Sequence, residues 1–182
     1  MVEEKREEAH NSLKDNFKTN KRGDLYPSIL MKKILISSCL LGENVKYDGG
    51  NNSMLENEFI QFLKKNNFLI PVCPEVDGGL SIPRIPVEIV ENRAVNKEGI
   101  DKTIEFICGA KIALEQAVKY GIKMAIMKSK SPSCGKNFIY DGSFTKTLIK
   151  QDGISVKLLK KHGIKIFSEN ELEEAYKFWK TL

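Results

Sequence analysis

Four short apolar segments, each separated from the next by a longer and more polar stretch, constrain the fold of this chain most strongly. A run this short, with apolar residues on both faces, is typical of a strand buried in a parallel sheet. The segments are KKILISS at 32–38, FLIPV at 68–72, IKMAIM at 122–127 and IKIF at 164–167. Because helix-like segments lie between them, the order predicts an α/β fold. We expect a single domain with a mostly parallel sheet flanked by helices, in a three-layer, Rossmann-like arrangement.

The stretches between these segments show the apolar spacing of helices. One helix is predicted within residues 55–67, and a longer one runs from Asp101, a residue type that caps helices, to Gly121. The predicted apolar side of the longer helix consists of Ile104, Ile107, Cys108, Ile112 and Leu114. Two more helices are predicted, one at about 154–162 and one that follows a capping box formed by Ser168 and Glu171.

Residues 1–30 differ in character from the rest of the chain. They are polar, with six Lys or Arg and six Asp or Glu residues, whereas the first strongly apolar segment opens at Met31. We therefore expect a polar N-terminal extension over 1–30 and the α/β domain over 31–182. The extension is interpreted as a weak helix, a disordered segment or an upstream reading of the start codon.

No part of the sequence has the pattern of a membrane span or an export signal. It contains no apolar run of about eighteen residues, which a spanning helix needs, and its first thirty residues are too charged for a secretory signal. We therefore expect a soluble, cytoplasmic protein. In that reducing compartment the four cysteines are expected to act as ligands or catalytic thiols and not to form disulfides.

Three of the four cysteines follow predicted strands. Cys39 comes directly after the first strand, Cys73 directly after the second, and Cys134 lies in the loop after the third. The carboxyl ends of parallel strands share one edge of the sheet, which is where such folds bind ligands. We therefore expect these three thiols to converge on one metal centre. Prolines stiffen the loops of Cys73 and Cys134, and rigid loops suit pre-organised ligands. Cys108 lies in the middle of a predicted helix and is expected to be a small buried side chain.

A basic stretch leads up to Cys134 and just past it. No acidic residue occurs between Glu115 and Asp141. The lysines near Cys134 in this stretch are Lys119, Lys123, Lys128, Lys130 and Lys136. Such a stretch attracts an anionic substrate or RNA phosphates, or is only a solvated helix face followed by a basic loop. The net charge of +5 is too small to decide between these interpretations.

Six blocks of sequence, taken in their order and spacing, resemble one known family. The blocks are SSCLLG, VKYDGG, VCPEVDGGLSIPRIP, KSKSPSCG, IYDGSFTKTL and GIKIFSENE. They resemble the thiouracil desulfurase (TudS) family, also known as DUF523, over essentially all of residues 31–175. Residues 1–30 lie outside the resemblance, and GISVKLL, from Gly153, stands where Gly-Val-Thr-Ala is expected in relatives.

The resemblance implies an oxygen-sensitive [4Fe-4S] cluster as cofactor, held by Cys39, Cys73 and Cys134, with one iron free of protein ligands. It also implies that Glu75 and Ser131 are the catalytic side chains. The candidate substrate contacts near this site are Tyr47, Asp48, Arg84, Lys128, Lys130 and Ser133. The implied partners are a thiouracil or thionucleoside substrate or thiolated tRNA, together with the machinery that assembles the cluster.

On this interpretation the protein replaces the sulfur of a 2-thiouracil-like ring with oxygen and releases sulfide, without net electron transfer. An iron without a protein ligand is a Lewis acid that suits a thiocarbonyl sulfur, while Glu75 and Ser131 orient water or carry protons. Two alternatives use the same residues. One is a hydrolase in which the three thiolates bind zinc and activate water. The other is an iron–sulfur module that binds RNA or senses redox state without turnover.

Overall fold

The computed structural model describes residues 32–182, which contain eight strands and five helices. The strands are β1 (Ile34–Ser37), β2 (Leu69–Val72), β3 (Val87–Val90), β4 (Arg93–Asn96), β5 (Met124–Met127), β6 (Phe138–Tyr140), β7 (Leu148–Lys150) and β8 (Lys165–Ser168). The helices are α1 (Glu58–Lys65), α2 (Pro74–Asp77), α3 (Thr103–Lys119), α4 (Ile154–Lys161) and α5 (Leu172–Trp179). The polar extension predicted for residues 1–30 lies outside the described residues.

The centre of the fold is a four-stranded parallel sheet in the order β2-β1-β5-β8. Ile34 pairs with Leu69, and Leu35 pairs with Ala125, so β1 lies in the interior of the sheet. These strands form at the four apolar segments because strands covered on both faces need apolar side chains on both. The predicted parallel α/β fold is therefore confirmed.

One face of the sheet packs against α3 and α4. Leu35 and Ile166 of the sheet share a buried cluster with Ala117 of α3 and with Val156 and Leu159 of α4. Burial of each large aliphatic side chain contributes about 1.5–3 kcal/mol to folding, so this cluster holds the two helices to the sheet.

The opposite face of the sheet is covered by α1 and α5, which contact each other through aromatic side chains. The ring of Trp179 lies 5.9 Å from that of Phe59 and 5.5 Å from those of Phe62 and Phe68, measured between centroids. The Trp179 indole N–H donates to the Lys32 carbonyl at 2.9 Å. This contact joins the last helix to the residues just before β1. With α3 and α4 on the other face, the sheet has helices on both sides.

The buried side of α3 differs from the predicted one. Cys108, predicted to be buried, is exposed, and Ile104 is 76% exposed. The residues that α3 buries are Phe106, Gly109, Ala110, Ala113 and Ala117. The small residues allow close packing: a Cβ added to Gly109 would overlap the Pro74 carbonyl of α2. The side of α3 that faces inward is therefore the side whose small residues let the backbone of α2 approach closely, and not the side with the most branched apolar side chains.

Two antiparallel hairpins, β3–β4 and β6–β7, stand beside the sheet and were not predicted. A small buried cluster joins them to α3 through Ile89, Ala94, Phe106 and Ile139. In the turn of the first hairpin, Glu91 and Asn92 both have positive φ, which matches the backbone twist that tight hairpins favour. These hairpins lie beside the carboxyl ends of the strands of the parallel sheet.

The predicted capping box forms only in part, because the N-cap of the last helix is Glu171 and no side-chain hydrogen bond caps the helix there. The Glu171 carboxylate accepts the backbone N–H of Ser168 at 2.9 Å and its hydroxyl at 2.8 Å, and α5 begins one residue later. Residues 32–182 form one compact unit. None of the described helices is long and apolar enough to cross a membrane.

Candidate active site

Three free cysteines line one cavity of about 430 Å³ at the carboxyl edge of the sheet. Cys39 lies in the 3₁₀ turn Ser38–Leu41 directly after β1, Cys73 directly precedes α2, and Cys134 lies in the loop after β5. Cys39 and Cys134 are buried, and Cys73 is partly exposed. Parallel strands place their carboxyl ends together, and this arrangement brings the three predicted thiols to one site.

Backbone hydrogen bonds hold the loop that carries Cys39. The Cys39 carbonyl accepts the N–H of Asn52 at 2.9 Å, which ties the turn after β1 to the following loop. The turn ends at Gly42, whose φ of +86° lies in the left-handed region that glycine adopts without strain. At the next strand, the Cys73 N–H donates to the Asp77 carboxylate at 3.0 Å.

The loop around Cys134 is held by serine side chains. The Ser131 hydroxyl accepts the N–H of Ser133 at 3.1 Å and that of Cys134 at 3.0 Å. The Ser133 hydroxyl is itself buried and bonds the Ser155 hydroxyl of α4 at 2.8 Å. Gly153 packs against this loop, where an added Cβ would overlap the Ser133 carbonyl. The position of Cys134 is therefore determined by α4 as well as by its own loop.

Burial raises the pKa of all three thiols. The pKa of Cys39 rises from its ordinary 9.0 to about 11, first because of burial and then because of the nearby Cys73, while Lys128 acts in the opposite direction. Burial is also the main reason why the pKa values of Cys73 and Cys134 are raised. Thiols in this setting stay protonated unless a bound metal compensates the charge of the thiolates.

Glu75 and Ser131 meet at the cavity wall. Oε1 of Glu75 accepts the Ser131 hydroxyl at 3.2 Å, and Oε2 accepts two N–H groups of Arg84, from Nε at 3.0 Å and from Nη2 at 2.7 Å. The Arg84 side chain is 7% exposed and also donates to the Val45 carbonyl. The carboxylate is thus held in one orientation, with one oxygen towards Arg84 and the other towards Ser131.

Basic side chains dominate the charged lining of the cavity. Against the acids Glu75 and Glu88, the lining contains Lys46, Arg84, Lys97, Lys128, Lys130 and Lys146. Of the basic stretch near Cys134, only Lys128 and Lys130 belong to this lining; Lys119 and Lys123 do not. Lys128 pairs with Glu169, whose carboxylate also accepts the Ser129 N–H at 2.8 Å. The positive character of the site therefore comes from several loops and not from one segment.

The structure places two of the six predicted substrate contacts, Asp48 and Ser133, outside the cavity lining. Asp48 does not line the cavity; its carboxylate pairs with Lys46 and accepts the Gly50 N–H at 3.0 Å in an exposed turn. Ser133 has no exposed surface, because its hydroxyl serves the contact with α4. Tyr47, Arg84, Lys128 and Lys130 do line the cavity.

The hairpins supply lining residues that were not predicted. Glu88 comes from β3, Tyr140 ends β6, and Phe144 and Lys146 come from the loop between β6 and β7. The signal for the first hairpin is the pair of short segments VEIV and RAVN, which contain β-branched residues and are separated by a two-residue Glu-Asn turn. That pattern predicts a hairpin but does not show that the hairpin reaches the strand ends.

The donor set fits a cluster with three protein ligands. Cys39, Cys73 and Cys134 line the cavity, whereas Cys108 lies on α3 away from it. Within residues 32–182, no three His, Cys, Asp or Glu side chains are grouped closely enough to hold a single metal ion. The cysteines of a cluster each bind a different iron atom, so a cluster does not require that close grouping.

Comparison with known proteins gives the same picture for the whole domain. A family model described as 2-thiouracil desulfurase matches residues 34–171. An uncharacterized protein of Bacillus subtilis (strain 168), YbbK, is 36% identical over 151 residues, which cover 78% of this chain and 98% of that protein. The solved structure of the [4Fe-4S]-dependent thiouracil desulfidase TudS is similar with a TM-score of 0.80 and 38% identity, over 82% of this chain and 99% of that one. This chain therefore belongs to the 2-thiouracil desulfurase family.

Proposed function

We propose that this protein removes the sulfur of a thiolated pyrimidine such as 2-thiouracil, releases it as sulfide, and uses a [4Fe-4S] cluster held by Cys39, Cys73 and Cys134. The observation that carries this proposal is that the three thiols line the same cavity as the Glu75–Ser131 pair. Family membership and the likeness to a thiouracil desulfidase support it. A cavity of about 430 Å³ is within the range of small-molecule sites.

The reaction is a hydrolysis and needs no oxidant or reductant. When bound, a cluster with only three cysteine ligands supplies one open iron, a Lewis acid for the thiocarbonyl sulfur. The oxygen of water forms a bond to the ring carbon, and the carbon–sulfur bond breaks with its electron pair on sulfur. Both protons of the water leave with the sulfur as hydrogen sulfide, so atoms and charges balance.

Glu75 is the proposed general base. Arg84 occupies Oε2, which leaves Oε1 as the oxygen that faces the Ser131 hydroxyl. In this orientation the carboxylate accepts a proton from the attacking water through Oε1, directly or through Ser131, and returns it to the departing sulfur. Arg84 acts as a positioning residue, because its side chain contacts the carboxylate and not the reacting atoms.

The cationic lining stabilises the charge that develops during the reaction. Within residues 32–182, Lys130 takes part in no ion pair, whereas Lys128 is paired with Glu169. Lys130 is therefore the lysine of this loop that remains available for the ring oxygen or for negative charge on the departing sulfur. Lys128 and Glu169 together hold the loop between β5 and Cys134 in place.

Anaerobic purification followed by metal analysis and a sulfide-release assay tests the proposal. We expect brown protein with about four irons per chain and sulfide release from 2-thiouracil. A thiouridine and thiolated tRNA, tested in parallel, determine whether the substrate is the free base, the nucleoside or the RNA. We also expect the cell's cluster-assembly machinery to load the protein.

Two results would contradict the proposal. Colourless protein that contains zinc and remains active would point to a zinc hydrolase with the same three ligands. Protein that releases no sulfide from any of the three substrates, but binds RNA with a strong salt dependence, would point to a binding module.

A further inference from the structure

The loop at 141–147, between β6 and β7, forms part of the cavity wall through Phe144 and Lys146. Both residues have positive φ, of 58° and 67°. A bulky side chain rarely adopts this conformation, which costs about 1–3 kcal/mol and is concentrated at binding and catalytic sites. The strained backbone therefore needs support from the residues around the loop.

Glu88 of β3 provides that support. Its Oε2 accepts the N–H of Gly142 at 2.9 Å and that of Phe144 at 3.0 Å, although the two segments lie more than fifty residues apart. Glu88 is 8% exposed and takes part in none of the ion pairs found within residues 32–182. Burial of a carboxylate is unfavourable, and the two charge-assisted hydrogen bonds to the loop offset that cost.

The loop also sits directly on β3. Gly142 has a φ of +92°, and an added Cβ would lie 2.5 Å from the Val90 side chain and 3.0 Å from the Ile89 carbonyl. Only glycine fits this contact, so the backbone approaches β3 as closely as it can. The position of Phe144 is consequently determined by β3 through Gly142 and Glu88 together.

We propose that Phe144 is the residue on which the pyrimidine ring stacks, and that Glu88 is the positioning residue that holds Phe144 at the cavity wall. This inference rests on the proposed function, because it names how that site binds the ring. A phenyl ring has no polar group, so it can contribute to binding only through apolar contact and its π-face, and every nucleobase offers a π-face to such a ring. Tyr47 and Tyr140 also line the cavity, but neither has a strained backbone or a buried carboxylate that supports it.

Stacking is tested by measuring the affinity for 2-thiouracil, by equilibrium dialysis on anaerobic, cluster-loaded protein in which every variant also carries Glu75→Gln, so that the substrate is not consumed. We expect Phe144→Leu to raise the Kd about tenfold or more, and Phe144→Tyr to recover most of the loss. Phe138→Leu is the matched control, since Phe138 lies in the same hairpin, is 50% exposed and does not line the cavity. Equal affinities for Phe144→Leu and the unchanged protein would overturn the stacking role, and so would an absence of 2-thiouracil binding to the unchanged protein.

The role of Glu88 has a readout that is independent of turnover. Lys146 is an exposed trypsin site in the supported loop, so the rate of cleavage after Lys146 reports how firmly the loop is held. We expect Glu88→Met to accelerate this cleavage about tenfold or more and to weaken 2-thiouracil binding to the same degree as Phe144→Leu. Glu88→Gln, whose amide oxygen still accepts both N–H groups, should recover most of both effects.

Glu91→Met, in the exposed turn that follows β3, is the control for Glu88→Met. Unchanged cleavage and affinity in Glu88→Met would overturn the positioning role. The two proposals also fail separately. If 2-thiouracil binding depends on Phe144 but no sulfide is released, the desulfuration is contradicted and the stacking is supported. If sulfide is released but Phe144→Leu binds 2-thiouracil as tightly as the unchanged protein, the desulfuration is supported and the stacking is contradicted.

Discussion

Ser131 donates its hydroxyl proton to Oε1 of Glu75 at 3.2 Å, although the two residues are 56 positions apart in the chain. Glu75 lies on the short helix after β2, and Ser131 lies in the loop after β5. Because β1 separates these two strands in the sheet, the contact joins loops that are not on neighbouring strands. The pair therefore exists only where the carboxyl ends of the strands meet, beside the three thiols.

Glu75→Gln and Ser131→Ala are expected to keep the cluster and lose activity. If these residues transfer the protons of the reaction, each change should lower the rate of sulfide release about 10²- to 10⁴-fold at saturating 2-thiouracil, while the iron content stays unchanged. Ser131→Thr, which retains a hydroxyl, should keep part of the activity. Glu173→Gln, on the exposed side of α5, is the control. Full activity in both Glu75→Gln and Ser131→Ala would remove their proposed roles.

Substitution of the ligand cysteines is expected to abolish cluster binding. Cys39→Ala, Cys73→Ala and Cys134→Ala should each lower the iron content after anaerobic reconstitution, because each removes the ligand of one iron. Cys108→Ala should bind as much iron as the unchanged protein, since Cys108 is exposed on α3 and outside the cavity. A normal iron content in any of the first three variants would contradict that ligand assignment.

Loss of Arg84 is expected to destabilise the fold as well as the site. Arg84→Met leaves the Glu75 carboxylate, whose side chain is 15% exposed, without its cation, and should lower the free energy of unfolding by about 3 kcal/mol in urea titrations. Arg93→Met is the control: its pair with Asp101 spans 3.8 Å at the surface, where solvent screens the attraction, so its loss should change the free energy of unfolding far less. Adding Glu75→Gln to Arg84→Met should recover part of the loss. Equal effects of Arg84→Met and Arg93→Met would contradict a buried, coupled pair.

Acid is expected to weaken the contact between Glu169 and the loop after β5. Burial alone would raise the pKa of Glu169, but hydrogen bonds from Lys128 and Ser129 outweigh it and lower the pKa below the ordinary 4.5. The folded state thus binds this proton less readily than the unfolded state. The resulting stabilisation is fully present above about pH 4.5 and is lost as the pH falls through the lower folded value.

The Glu169 prediction is checked by urea unfolding between pH 7 and pH 3. Glu169→Gln should be less stable than the unchanged protein at pH 7, and the difference should shrink below about pH 4.5. Glu173→Gln, at an exposed position, should not show this convergence. If the difference in the free energy of unfolding stays constant down to pH 3, the charge of the Glu169 carboxylate is not what stabilises the loop.

Local pattern was sufficient to predict the central sheet and the strand-end cysteines, but not the hairpins or the inward side of α3. The sheet strands are apolar on both faces, so their sequences are distinctive without any tertiary context. α3 has apolar residues around most of its circumference, and the choice between Ile104 and Ala113 as the inward residue depends on how closely α2 and α4 approach. The burial of Ser133 was not predicted for a similar reason, because its partner Ser155 is supplied by α4.

The sequence by itself determined the parallel order of strands and helices and the position of Cys39, Cys73 and Cys134 at strand ends, because hydrophobic periodicity and chain order are local properties. The resemblance implied Glu75 and Ser131 as catalytic side chains, but only the tertiary structure decided how the polar side chains beside those thiols contact one another. Glu75 meets Arg84 and Ser131, and Glu88 reaches the loop of Phe144, through contacts between segments distant in the chain. Such contacts depend on backbone approach and on the compensation of buried charge, which no local pattern encodes.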